Sequence, residues 1–324
     1  MSVLELVGGI ALPTLSDVGE GAAVLEAAEA EASVELATEV ELRELTGFEE
    51  EILAAGNRSE QKHKAKANLS PSQRITKVLA RCTTRIGSLR FEQNEDPEKA
   101  DDRLCKSFWH DALIGDRSLA VIRLRQWSIG DVYAYSDTCP FCKKLIPRLE
   151  VNLGGQESYP YFEYLADDPE FATVDRYNDP LEGEELKRVQ ERLLAARRRL
   201  ILASEHQAEM PDGTPFTWRL MRGSDEDELQ RIPREYADQW RTQLLKQQLV
   251  SFNGEKVRGA TLAKLGWGER NFLSEFFDTR MGGLDTEIIA TCPNSMECGK
   301  EFRRYIDLGR PDFFFPSAGR RTSR

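Results

Sequence analysis

At 324 residues the chain is long enough for two domains of ordinary size, and 40% hydrophobic content with 5 Trp and 15 Phe excludes disorder of the whole. A net charge of −11 and a pI near 5.1 speak against coating nucleic acid, because neutralising phosphates needs a basic face. No apolar run of roughly eighteen residues is present, nor a basic region ahead of the short apolar stretch Val7 to Leu15. Neither a membrane span nor a secretory leader is therefore expected, and in a reducing cytosol paired cysteines serve as metal ligands or redox groups.

Residues 1–34 are Ala-, Gly- and Glu-rich without Lys or Arg, which predicts an acidic flexible arm. A strand carrying Val40 and Leu42 then runs into Thr46, a candidate cap for a short helix whose Glu49 and Glu50 suit the helix dipole. Residues 54–70 are polar and basic and predict an exposed loop. Ser70 and Pro71 open a helix with Ile75, Val78, Leu79, Cys82 and Ile86 on its apolar face, so Cys82 is a core residue. After an acidic loop, a helix through Leu119, Val121, Ile122 and Leu124 leads to a turn at Gly130.

Val132, Tyr133 and Tyr135 precede Cys139-Pro140-Phe141-Cys142, and Leu149, Val151 and Leu153 follow it. Alternation on both sides of a tight turn reads as a β-hairpin with two thiols at its tip, a zinc knuckle. Residues 155–210 form a connector. It comprises an aromatic, turn-rich stretch and a long helix from Leu181 to His206, read as a solvated structural helix despite Arg197, Arg198 and Arg199.

From Pro211 the pattern returns. Arg219 answers Arg43 and Gly223 answers Gly47, an offset of 176 (219 − 43). Pro233 answers Pro71 at 162 (233 − 71); Gly268-Glu269-Arg270, Gly283 and Cys292 answer Gly115-Asp116-Arg117, Gly130 and Cys139 at 153 (292 − 139). The offset shrinks only across polar loops, as a structural repeat permits. The expected fold is α+β: two diverged copies of one module, residues 35–154 and 211–316, joined by the connector and followed by a basic tail, 317–324. Each module is read as a strand pair, two or three helices and a cysteine-tipped hairpin.

Each copy brings two thiolates, whereas a structural zinc site takes four in a closed tetrahedron. The expectation is one shared zinc held by Cys139, Cys142, Cys292 and Cys298, the second pair in a wider loop (CxxxxxC). A thiol-disulfide oxidoreductase using the Cys139–Cys142 motif is the alternative. It is disfavoured because Pro147 and the alternating Arg148 to Leu153 follow where a helix is needed. Glu49, Glu50, Asp225 and Glu226 read as helix-start charges, the three histidines have no metal spacing, and no nucleotide or nucleophile motif occurs, so no catalytic residue and no small-molecule substrate is expected. Phe313, Phe314 and Phe315 near the C-terminus are expected to tuck into the second copy's core.

The stretches VELRELTGFEEEIL (40–53), LIGDRSLAVIRLRQWSIGDVYAYSDTCPFC (113–142) and IDLGRPDFFFP (306–316) resemble the baseplate hub assembly proteins of T-even-type contractile-tailed phages. The resemblance implies a non-enzymatic protein that contacts other tail or baseplate hub proteins, in the infected cell's cytoplasm and in the virion tail if it is retained there. Duplication, the connector and the acidic arm depart from the family's usual form.

Overall fold

The computed structural model describes residues 1–13, 34–54, 69–174, 180–230, 240–294, 296–306, 308 and 311–314, and over them the chain is an α+β protein with antiparallel sheets. In the first half β1 (Ser2–Pro13) pairs with β2 (Val34–Leu42) from Ser2 opposite Leu42 to Pro13 opposite Val34. There follow α1 (Gly47–Ala54), α2 (Pro71–Cys82), β3 (Thr83–Ile86), β4 (Leu89–Arg90), α3 (Arg103–Asp111), α4 (Ile114–Ile129), and the hairpin β5 (Val132–Thr138) and β6 (Leu145–Asn152). The sheet order is β1-β2-β3-β4. Ser70 and Gln73 form a reciprocal capping box at the start of α2, with Pro71 in its first turn, as the sequence predicts.

In the second half β7 (Ser158–Tyr159) and α5 (Gly183–Leu202) lead to β8 (His206–Glu209), β9 (Pro215–Trp218), α6 (Gly223–Gln230), α7 (Trp240–Gln248), β10 (Leu249–Phe252) and β11 (Glu255–Lys256). Then come α8 (Gly259–Lys264), α9 (Trp267–Asp278), β12 (Gly283–Leu284), the hairpin β13 (Glu287–Thr291) and β14 (Glu301–Tyr305), and α10 (Pro311–Phe314). The sheet order β8-β9-β10-β11 follows the same series as the first. Gly130 and Gly283, before the two hairpins, have φ of 115° and 123°, a region open to glycine. Arg117 donates to the Trp109 carbonyl at 2.6 Å, and Arg270 to that of Leu262 at 2.8 Å, both pairs related by the offset of 153 (270 − 117, 262 − 109).

Several expectations need correction. Residues 2–13 are not part of an arm: Leu4, Leu6, Ile10 and Leu12 alternate onto the core side of β1. The rest of the expected arm, the 54–70 loop from residue 55 to 68, the helix start at Pro233 and the basic tail 317–324 lie outside the described residues. Ile86 sits on β3 rather than on the preceding helix, since α2 ends at Cys82 where a β-branched run begins. Among the described residues each half carries a four-stranded sheet, with four helices in the first half and six in the second, more than the strand pair and two or three helices expected. The connector is not separate either. Tyr161 and Phe162 are buried in the second core with Phe216, Trp218, Leu273 and Phe277, and β8 belongs to the second sheet. Among the described residues no helix is long and apolar enough to cross a membrane.

The halves interlock. Gly223 N–H donates to the Ala112 carbonyl at 3.0 Å and Ile114 N–H to that of Met221 at 3.1 Å. Gly115 lies so close to Gly282 that an added Cβ would overlap the Gly282 carbonyl oxygen and crowd the Tyr161 hydroxyl. Backbone atoms cannot yield cheaply. Gly115→Ala is therefore expected to cost about 3 kcal/mol or more, read as a fall in the urea midpoint with unchanged slope.

Glu49 and Asp225 are not solvated helix-start charges. Glu49 is fully buried and accepts from both terminal nitrogens of Arg43 (3.0 and 2.9 Å) and from Arg81 Nε (2.8 Å). Asp225 likewise pairs with Arg219 and accepts from Arg222 N–H, as Glu49 accepts from Thr46 N–H, each at the offset of 176 (225 − 49). Burial acts to raise the Glu49 carboxyl, but the hydrogen bonds from Arg43, Thr46 and Arg81 outweigh it and take it down to about 2. Because the folded value is depressed below the ordinary 4.5, this contribution is full above about 4.5 and is lost as pH falls towards 2. It is worth about 3 kcal/mol as an order of magnitude. Glu49→Gln leaves two guanidinium groups facing one neutral amide, and is expected to cost about 3–5 kcal/mol at pH 7 and to flatten the acid limb of stability against pH. Denaturant titrations at pH 7 and 3 read both effects.

Candidate metal centre

Two hairpin tips meet over a small apolar floor of Ile146, Ala290 and Phe302. The hairpins form where the alternation predicts them: Tyr133 opposes Val151, and Ile288 opposes Arg304. Their bases are anchored in the first core through Tyr133, Tyr135, Val151, Leu153, Ile288 and Ile306, so the tips project from a fixed platform.

The two turns use the same backbone device. Cys139 N–H donates to the Lys144 carbonyl at 3.0 Å and Cys292 N–H to the Lys300 carbonyl at 3.0 Å, in each case two residues past the second cysteine. The residue after that cysteine is left-handed in both, Lys143 at φ 60° and Gly299 at φ 59°. The wider loop takes its three extra residues between the cysteines and closes them on Asn294, whose carbonyl accepts from Cys298 N–H (2.8 Å) and Gly299 N–H (3.0 Å).

All four sulfur atoms, of Cys139, Cys142, Cys292 and Cys298, lie within 4.8 Å of one another, as the sequence expectation requires. Cys139 Sγ is 3.8 Å from Cys298 Sγ, and Cys142 Sγ is 3.7 Å from Cys292 Sγ. Cys139 and Cys292 are buried; Cys142 and Cys298 are half-buried. Desolvation would raise the Cys139 thiol, but the N–H groups of Cys142 and Phe141 aimed at its sulfur, with the neighbouring thiols, take it down to about 6. Cys292 goes the other way, to about 11: the Asn294 amide draws it down, and burial with the other three thiols outweighs that pull. One thiolate thus forms readily while Cys292 beside it resists ionising, a frustration that a dication at the centre removes. Four such sulfurs can hold a metal ion.

Residues that the sequence reading missed brace the tips. Lys144 pairs with Glu297 across the two loops, and Arg304 joins Asp137 (2.7 Å) and the Thr138 carbonyl (3.0 Å) on the opposite hairpin. Lys300 lies 5.0 Å from the centre of the Phe141 ring. The available signal was opposite charge flanking the two cysteine pairs. Of the other candidates, Cys82 and Cys105 are buried in the first core, and burial pushes the Cys82 thiol up to about 12. His206 packs edge-on to Phe162 and tilted against Trp218, His110 is at the surface, and His63 lies outside the described residues. The chain after Cys142 continues into β6 rather than a helix. No protein-family model, no curated protein and no solved structure matches this chain.

Proposed function

We propose that the protein is a non-enzymatic structural or assembly component of a contractile phage tail, acting at the baseplate or its hub through contacts with other tail proteins, with a structural zinc tying its two hairpins together. The observation that carries the zinc is the sulfur spacing. A tetrahedron with Zn–S bonds of about 2.3 Å has edges of about 3.8 Å, against 3.8 and 3.7 Å for the two cross-hairpin pairs. Four soft thiolates suit zinc, and a closed shell leaves no position for a reacting water. Zinc would supply cohesion between segments 150 residues apart in sequence (292 − 142).

The tail assignment rests on the resemblance of residues 40–53, 113–142 and 306–316 to the baseplate hub assembly family. The same series of elements in both halves, with matching ion pairs on buried carboxylates at one offset, supports an internal duplication within that framework. Against a thiol oxidoreductase stands the setting of Cys139, fully buried on a hairpin tip without the helix N-terminus that activates such a thiol. Affinity capture of the tagged protein from phage-infected cells is expected to recover tail or hub proteins. Recovery of none, together with insulin reduction above a Cys139→Ser control, would overturn the assignment in favour of the oxidoreductase.

A further inference from the structure

The four sulfurs differ in access. Cys139 and Cys292 are 0% and 2% exposed, whereas Cys142 and Cys298 are half-buried. Two sulfur contacts, of 3.8 and 3.7 Å, each join a half-buried sulfur of one hairpin to a buried sulfur of the other: Cys298 to Cys139, Cys142 to Cys292. Closing either gap, 3.8 or 3.7 Å, to the disulfide length of about 2.05 Å would link the two hairpins. Phe141 and Met296, beside the two accessible cysteines, are themselves exposed and leave a route to the tips.

We propose that the centre is an oxidative modification site for hydrogen peroxide, at which loss of the metal is coupled to two crosswise disulfides, Cys139–Cys298 and Cys142–Cys292. This rests on the zinc reading above. In each half-reaction the thiolate of Cys142 or Cys298 attacks one peroxide oxygen, the O–O bond breaks, and a sulfenic acid and hydroxide form. The buried partner thiolate then attacks the sulfenic sulfur, an S–S bond forms, and a second hydroxide leaves. Two peroxides are reduced to hydroxide, four thiolates are oxidised to two disulfides, and the zinc ion is released without change of oxidation state. Crosswise pairing replaces the metal clamp by a covalent one, so the hairpins stay joined after the metal has gone. Pairing within each hairpin would let them part.

The test uses the full chain loaded with zinc and treated with graded hydrogen peroxide, then alkylated and digested without reduction for mass spectrometry. Expected are one zinc released per chain at two equivalents of peroxide, peptides linking Cys139 to Cys298 and Cys142 to Cys292, and Cys82 and Cys105 recovered alkylated. Links of Cys139 to Cys142 and Cys292 to Cys298, links between chains, or sulfinic acids without links overturn the proposal. Zinc content before oxidation separates the two readings. A chain that never held zinc overturns the metal reading and the release step, while the link pattern of the same chain still decides the pairing. Cys298→Ser provides a second check: the Cys142–Cys292 link is expected to survive and Cys139 to be recovered unlinked, and formation of a Cys139–Cys142 link instead counts against crosswise geometry.

Discussion

Cys142→Ala and Cys298→Ala are each expected to yield a chain without bound zinc, although the two positions lie on different hairpins in different halves of the protein. A four-thiolate site binds zinc with a free energy on the order of 10 kcal/mol, comparable to the whole stability of a domain. Removing one ligand opens the shell and discards most of that. With free zinc a thousandfold above its Kd, the wild-type chain gains about 4 kcal/mol over either variant. The loss should be localised, because the hairpin bases are held in the first core by Tyr133, Val151, Ile288 and Ile306 independently of the metal. Metal analysis should find one zinc in the wild type and none in the variants. Hydrogen exchange should accelerate at the tips while β1 to β4 keep their protection. Full zinc in either variant, or none in the wild type, would sink the shared site.

Truncation before Pro311 is expected to lower the melting temperature by about 7 °C or more, from a loss of about 5 kcal/mol or more. Phe313 and Phe314 do tuck inward, but not into the second half's own core as the sequence suggested, and Phe315 lies outside the described residues. Phe313 is 0% exposed and packs edge-on against Tyr133, with ring centres 5.1 Å apart, and Phe314 is buried beside it in the first core. Arg125, fully buried, donates to the Phe313 carbonyl at 2.6 Å and to the carbonyls of Gly130 and Val132. Losing α10 therefore removes two large side chains and one acceptor of a buried cation together. Phe313→Ala alone should cost about 3–5 kcal/mol. An unchanged melting temperature with failed tail assembly would instead make this segment a docking element.

What could be read in advance was local. The cysteine turns, the Ser70 cap and the glycines at 130 and 283 each carry their signal within a few residues, and the preserved order of matching residues in the two halves links them across the chain. The four sulfurs could be assigned to one site because two ligands per hairpin are too few for a closed shell. The strand β1 was hidden because acidic composition averaged over residues 1–34 masked the alternation of Leu4, Leu6, Ile10 and Leu12. Short strands such as β4 and β11 are too brief for periodicity. The burial of Glu49 between two arginines was not legible either, since a carboxylate in a helix's first turn looks the same whether it faces water or an ion pair. Nor could the sequence say that the C-terminal aromatics cross to the other half, because apolar residues specify burial and not the partner core.

The first core includes Leu284, Ile288, Ile306, Phe313 and Phe314, contributed by the last stretch of the chain. During translation the first half leaves the ribosome with that part of its interior still unmade. At roughly 5–20 residues per second, the interval between Asn152 and Phe314 lasts roughly ten to thirty seconds. For that time the nascent first half presents an apolar cleft that its C-terminal segment fills later, so its maturation is expected to be post-translational and sensitive to chaperone supply. Codon changes that slow synthesis across the second half should lower the soluble yield of the full chain.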